Sequence, residues 1–204
     1  VPSALAPAPD AGLLPPDRRR LDDLVAALAR GLVRVFFRDV ELIGSARLPP
    51  RGPLVVVGNH QNGIVDSLLI LAALSRQGRV PRFLAASVLW RNPVLRPWLA
   101  LAGVIPVYRA QDAGGVADPE RNAAAFARCH EQLAAGGAVA LFPEGISHSA
   151  PGLAPLKTGA ARIILEAVRR FPGMRPLIVP AGLTFEAKGT FRSLALLVLG
   201  EPID

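Results

Sequence analysis

His60 and Asp66 stand where an apolar run ends. Leu54, Val55, Val56 and Val57 read as a buried strand, residues 58–63 as a glycine-containing turn, and Ile64 onward as the start of a helix. A histidine at the C-terminal end of a strand lies at the edge of a sheet, where substrates can reach it. An aspartate on the first helical turn can fold back and accept a hydrogen bond from one ring nitrogen. The other nitrogen is then fixed as a proton acceptor, which is what a general base acting on a hydroxyl requires. Further along, a second buried strand runs into Phe142, Pro143, Glu144 and Gly145, which brings a carboxylate to the same edge.

Other catalytic classes find no residues here. Residues 145–149 do not match the Gly-x-Ser-x-Gly elbow of serine esterases. Three scattered histidines and one cysteine do not make a zinc site, and no phosphate-binding or dinucleotide glycine fingerprint occurs.

Four stretches in order resemble the motifs of the glycerophospholipid acyltransferase superfamily. They are Asn59-His60 with Asp66; Gly103 to Arg109; Phe142 to Gly145; and Ile178 to Leu183. The resemblance runs from about residue 40 to the end of the chain. It departs from the family pattern twice. Five residues rather than four separate His60 from Asp66, and Ile146-Ser147-His148 stands where the family carries Thr-Arg-Ser. Both departures, with the segment Lys157 to Arg162, are similar to a bacterial subgroup. Gly63 can absorb the longer turn, because glycine takes backbone angles closed to other residues. The missing arginine removes one expected phosphate ligand.

The resemblance implies an O-acyltransferase that moves a fatty acyl group from acyl-CoA or acyl carrier protein to a lysophospholipid or glycerol phosphate. It needs no metal or bound cofactor. His60 would be the base and Asp66 its orienting partner. Arg109 is implied as a phosphate ligand. Glu144, with Gly145, is implied in acceptor binding, through the glycerol hydroxyl or by holding Arg109. A lone carboxylate in a phosphate pocket would repel the ligand, so Glu144 is expected to be paired. Lys157 and Thr158 precede a helix whose free N–H groups favour an anion, so Lys157 could replace the missing arginine, or Thr158 could simply cap the helix. Asn59, Ser147 and His148 complete the candidate pocket. The alternatives are a different amphiphilic hydroxyl, such as that of an aminolipid, or a non-catalytic lipid-binding protein of the same fold.

These residues need a scaffold. The chain has 204 residues, 51% of them hydrophobic, enough for one substantial core and one domain. Strand-like runs at 40–43, 54–57, 82–86, 104–107, 138–142, 177–182 and 196–199 alternate with helical patterns at 65–75, 92–101, 118–135 and 158–171. This alternation predicts an α/β fold, a mixed and largely buried central sheet flanked by helices. Asp118-Pro119-Glu120 reads as a helix start with a capping side chain. Cys129 and His130, on that helix, read as core or boundary residues. Residues 1–20, rich in Ala and Pro at their start, are expected to be disordered, and 21–204 to form the domain.

Within that domain, 21–38 reads as an amphipathic helix. Leu21, Leu24, Val25, Leu28, Leu32, Val35 and Phe36 form its apolar face, and Arg30, Arg34 and Arg38 the opposite side. It would either pack on the domain or lie on an anionic membrane.

The net charge of +7 is nearly all arginine, since lysine occurs only at Lys157 and Lys188. That suits anionic lipid and coenzyme A. It would suit nucleic acid too, but no recognition module or aromatic-rich basic strand is present. A single cysteine fits a reducing compartment, and no apolar run is long enough for a conventional membrane span. The expected location is therefore the cytoplasmic face of a membrane, peripheral or monotopic. The chain starts at Val1 and stops at Asp204 soon after a strand-like run, which leaves room for a further segment, such as a membrane anchor, at either end.

Overall fold

In the central strands both faces are apolar, so alternate residues feed two separate cores. Leu54, Val56, Ala138 and Ala140 join Leu69, Ile70, Leu74 and Phe83 on one side of the sheet. Val55, Val139 and Leu141 join Cys129, Leu133, Ile163 and Ala167 on the other. A strand buried on both faces reads as a continuous apolar run, as the sequence does here.

The computed structural model describes residues 16–109, 112, 119–150 and 152–204. Seven strands form the sheet: β1 (Asp39–Ile43), β2 (Leu54–Gly58), β3 (Arg82–Ala86), β4 (Ile105–Val107), β5 (Ala138–Leu141), β6 (Leu177–Phe185) and β7 (Leu194–Leu199). Their order is β1-β7-β6-β2-β5-β3-β4. Only the β6–β7 pair is antiparallel. The helices are α1 (Pro16–Phe36), α2 (Ile64–Ser75), α3 (Leu95–Leu101), α4 (Pro119–Ala134) and α5 (Gly159–Arg170). The fold is thus the mixed α/β sheet flanked by helices that the alternation predicts.

Because β2, β3, β4, β5 and β6 run in one direction, their C-terminal ends lie along a single edge of the sheet. The residues after β2, β4 and β5, which include His60, Arg109 and Glu144, are brought together there. This is the crevice where open α/β sheets bind ligands.

The first helix differs from the reading in two ways. It begins at Pro16, so the last residues of the stretch expected to be disordered are helical; residues 1–15 lie outside the described residues, as does Asp118. Of the apolar face, moreover, only Val25 and Phe36 meet the domain, beside small residues outside that pattern. Val25, Ala26, Ala29, Val33 and Phe37 point inward, and α1 packs on α2. Leu21, Leu24, Leu28, Leu32 and Val35 point outward, between 37% and 61% exposed. The helix is therefore apolar on two faces, and only one is covered.

Its seat is fixed by a buried ion pair. Arg82 Nη1 and Nη2 donate to the two carboxylate oxygens of Asp22 at 2.8 and 2.6 Å. Such forked pairs are the strong form of the arginine–carboxylate contact.

Strand β6 continues past Gly182 to Phe185, because residues 183–185 find partners in β7.

Candidate active site

The turn after β2 presents His60 to the edge. Gly63, the residue before α2, takes a φ of 57°, the left-handed backbone that lets a five-residue turn close on the helix. Asp66, fully buried on the first turn of α2, accepts from Asn62 N–H at 2.7 Å and lies 2.9 Å from His60 Nδ1, both through Oδ2. Its other oxygen is buried and meets no partner among the described residues. Asp66 can only accept, so Nδ1 carries the proton and Nε2 presents its lone pair.

Residues 142–148 hold His60 from the side. The Phe142 ring stacks on the His60 ring with centroids 4.2 Å apart and planes 9° from parallel. Glu144, 2% exposed, accepts the His60 backbone N–H at 2.8 Å through Oε1. Its Oε2 accepts from Ala154 N–H at 2.7 Å and from His148 Nε2. Burial alone would raise the Glu144 carboxyl, but these donors outweigh it and hold the group below its ordinary value. The expected pairing of Glu144 exists, but the partner is His148 rather than Arg109. The reason is reach: Glu144 turns inward beneath the His60 peptide and is used up there.

Arg109 is held elsewhere. Its Nε and Nη2 donate to Asp112 at 2.6 and 2.8 Å, and Nη1 donates to the Gly145 carbonyl. The guanidinium in turn holds the Asp112 carboxyl below the usual range. Gly145 has a φ of 68°, and a Cβ there would meet Lys157 Nζ at 2.8 Å, so the lysine side chain lies directly over the glycine. Lys157 N–H donates to the Pro143 carbonyl at 2.8 Å, which ties this side to the strand end. Thr158 is the N-cap of α5, exposed, and makes no side-chain capping bond.

A cavity of about 480 Å³ is lined by His60, Arg109, Gly145 and Lys157 among its polar and glycine contributors. Leu68, Leu71, Phe83, Trp98, Leu99 and Phe126 are among the apolar side chains that form the rest.

The Acyltransferase family model matches residues 39–184, most of the chain. The chain belongs to the Acyltransferase family. With it comes membership of the glycerophospholipid acyltransferase superfamily that the four motifs resemble. The Saccharomyces cerevisiae glycerol-3-phosphate O-acyltransferase 2 is 43% identical over 40% of this chain and 11% of its own length. The chloroplastic 1-acyl-sn-glycerol-3-phosphate acyltransferase BAT2 of Brassica napus is 29% identical over 72% of this chain and 39% of its own. The crystal structure of PlsC, the 1-acyl-sn-glycerophosphate acyltransferase of Thermotoga maritima, superposes with a TM-score of 0.66 at 21% identity. That match covers 92% of this chain and 70% of that one, and shows the same fold. The chain spans less than half the length of the curated relatives it matches.

Within this family member the two departures from the family pattern pack against each other. The longer turn contains Gly63, whose N–H donates to Ser147 Oγ at 3.0 Å. His148 N–H donates to the His60 carbonyl at 3.1 Å. Asn59 works away from the cavity: its amide exchanges both bonds with the Leu183 backbone, at 2.9 and 2.6 Å, and fixes the end of β2 to β6.

Sequence reasoning passed over Phe142 as a partner of His60, Asp112 as a partner of Arg109, and the apolar cavity. The only advance signal was the phenylalanine inside the third motif. Cys129 is buried, and burial pushes its thiol up to about 12, so it supplies no thiolate. His130 is buried as read, and burial lowers its pKa.

Proposed function

We propose that the chain transfers a fatty acyl group from a thioester of coenzyme A or acyl carrier protein to the hydroxyl of a glycerol phosphate or lysophospholipid. The observation that carries this is the His60–Asp66 pair, whose histidine lines the largely apolar cavity. In this reading the acyl chain lies in the cavity with its thioester carbonyl beside His60. The acceptor hydroxyl gives its proton to Nε2 as its oxygen attacks the carbonyl carbon. The tetrahedral intermediate collapses, the carbon–sulfur bond breaks, and His60 returns the proton to the departing thiolate. No enzyme nucleophile and no cofactor enter the cycle.

Arg109 and Lys157 in the cavity wall would meet the acceptor phosphate. Arg109 keeps N–H groups beyond those given to Asp112 and Gly145, since a guanidinium carries five. The names of the curated relatives, one a glycerol-3-phosphate and one a 1-acylglycerol-3-phosphate acyltransferase, support a phosphate-bearing acceptor.

The place of work in this proposal is a membrane surface. Its support is the outward apolar row of α1, flanked by exposed Arg20, Arg34 and Arg38, which suits anionic lipid. Among the described residues no helix is long and apolar enough to cross a membrane.

The test is thiol release from acyl-CoA and from acyl carrier protein, with liposomes and either glycerol 3-phosphate or 1-acylglycerol 3-phosphate. Acceptor-dependent release by the native protein, lost in His60→Ala, is the expected result. Equal release by both proteins would remove His60 from the mechanism.

A further inference from the structure

One seven-residue segment meets His60 at its ring face, its N–H and its carbonyl, while Asp66 holds the ring edge at Nδ1. Residues 142–148 supply the ring that stacks on the imidazole, the carboxylate that takes the His60 N–H, and the N–H that meets the His60 carbonyl. The same segment supplies Ser147 Oγ to the N–H of Gly63, at the far end of the turn. Of these groups, the Glu144 carboxylate is itself held at Oε2 by the His148 side chain, through Nε2, together with the Ala154 N–H, while Oε1 holds His60. The His148 ring is mostly buried, and among the described residues its Nδ1 meets no partner, so the hydrogen bond of the ring goes to Glu144.

We propose that His148 and Ser147 are positioning residues for the catalytic base, a role that rests on the acyl-transfer reading above. His148 acts through Glu144 on the His60 peptide, and Ser147 acts on the turn between His60 and Asp66. Neither is a ligand of the acceptor phosphate. Ser147 stands at the family's arginine position, but its hydroxyl closes the turn that the extra residue lengthened. A base displaced by an ångström loses most of the advantage of a prearranged site, of order 10²-fold in rate.

The decisive variants are His148→Leu, His148→Gln and His148→Asn. A glutamine amide nitrogen reaches about where Nε2 sits, whereas an asparagine amide reaches only to Nδ1. His148→Leu should lower kcat by about 10- to 100-fold with both KM values within about twofold. Glutamine should restore most of that loss and asparagine should not. Amide hydrogen exchange gives a readout independent of turnover: the His60 N–H should exchange faster in His148→Leu, while Val55 and Val56 in the buried part of β2 stay as protected as before.

A rise in acceptor KM at unchanged kcat would make His148 a substrate ligand and overturn the proposal. So would native kcat in His148→Leu. Glutamine as inactive as leucine, with the His60 amide protected in both, would show that the imidazole proton itself is needed. Should His148→Leu fail to fold, Ser147→Ala decides: faster exchange at Gly63 with a several-fold lower kcat supports the role, and no change in either contradicts it. If the native protein turns over no acceptor, the acyl-transfer reading fails, and exchange at His60 and Gly63 alone settles whether the segment holds the turn.

Discussion

Two parts of the cavity wall are built on opposite plans. On the base side, the His60 ring, N–H and carbonyl and the Gly63 N–H are each tied to residues 142–148 or to Asp66 by contacts internal to the fold. On the cation side, Lys157 is exposed and Arg109 is held by Asp112, a residue three positions away whose carboxylate occupies the fork a phosphate would use. The first arrangement is prearranged, so a proton can move without first reorganising the site. The second is an exchangeable pair, satisfied without ligand and available to one. On the proposed function, the rigid side would set the reaction type and the exchangeable side the choice of acceptor.

The largest way to break the contrast is at the base. His60→Ala should cut acceptor-dependent thiol release by about 10²- to 10⁴-fold while liposome binding stays native. If binding fell in step with turnover, the base side would be a lipid contact as well.

At the cations, Arg109→Ala should act on binding instead. The KM for a phosphate-bearing acceptor should rise by roughly 10- to 100-fold, the range for hydrogen bonds to charged groups, with a smaller effect on kcat. A pure kcat loss would move Arg109 into the prearranged half.

Glu144 sharpens the contrast through pH. Its carboxyl lies below the ordinary value of 4.5 in the folded protein. Its ionised form therefore contributes stability that is present above about that pH and lost as pH falls through the folded value. Thermal unfolding of the native protein between pH 7 and pH 3 should decline more steeply than that of Glu144→Gln, by a few degrees. Parallel declines would mean that the contacts of Glu144 contribute little.

The smallest effect is expected at Asp112. Removing it frees the Arg109 fork, so Asp112→Ala should lower the acceptor KM by up to about fivefold, the range for a partly exposed ion pair. A higher KM would show that Asp112 orients Arg109 rather than competing with its ligand.

How much of this was legible follows the same division. The apolar runs of β2 and β5 and the spacing of His60, Gly63 and Asp66 carry the fold and the His60–Asp66 contact, because strand period and turn chemistry are local. The destination of Glu144 was not local. Its type and position gave a need for a partner, but whether His148 or Arg109 met that need depended on how two loops pack. The same holds for Asp112, and for the cavity, whose walls come from residues as far apart as Leu68 and Ile163. On α1 the period predicted a helix with an apolar face that could pack on the domain or meet a membrane, but not which residues would touch α2. The buried residues are Val25 with the smaller Ala26 and Ala29, and the leucine row stays outside. Bulk alone does not say which of two apolar faces is covered.

The central claim is that His60 and Asp66 act as one unit, and a double-mutant cycle tests it most directly. Asp66→Asn keeps the shape but no longer favours the tautomer with the proton on Nδ1. The kcat of acceptor-dependent thiol release would be measured for His60→Ala, Asp66→Asn and the double variant. If the pair is a unit, Asp66→Asn alone is severely impaired, and adding it to His60→Ala costs nothing further. Native turnover in Asp66→Asn, or losses that multiply in the double variant, would contradict the account.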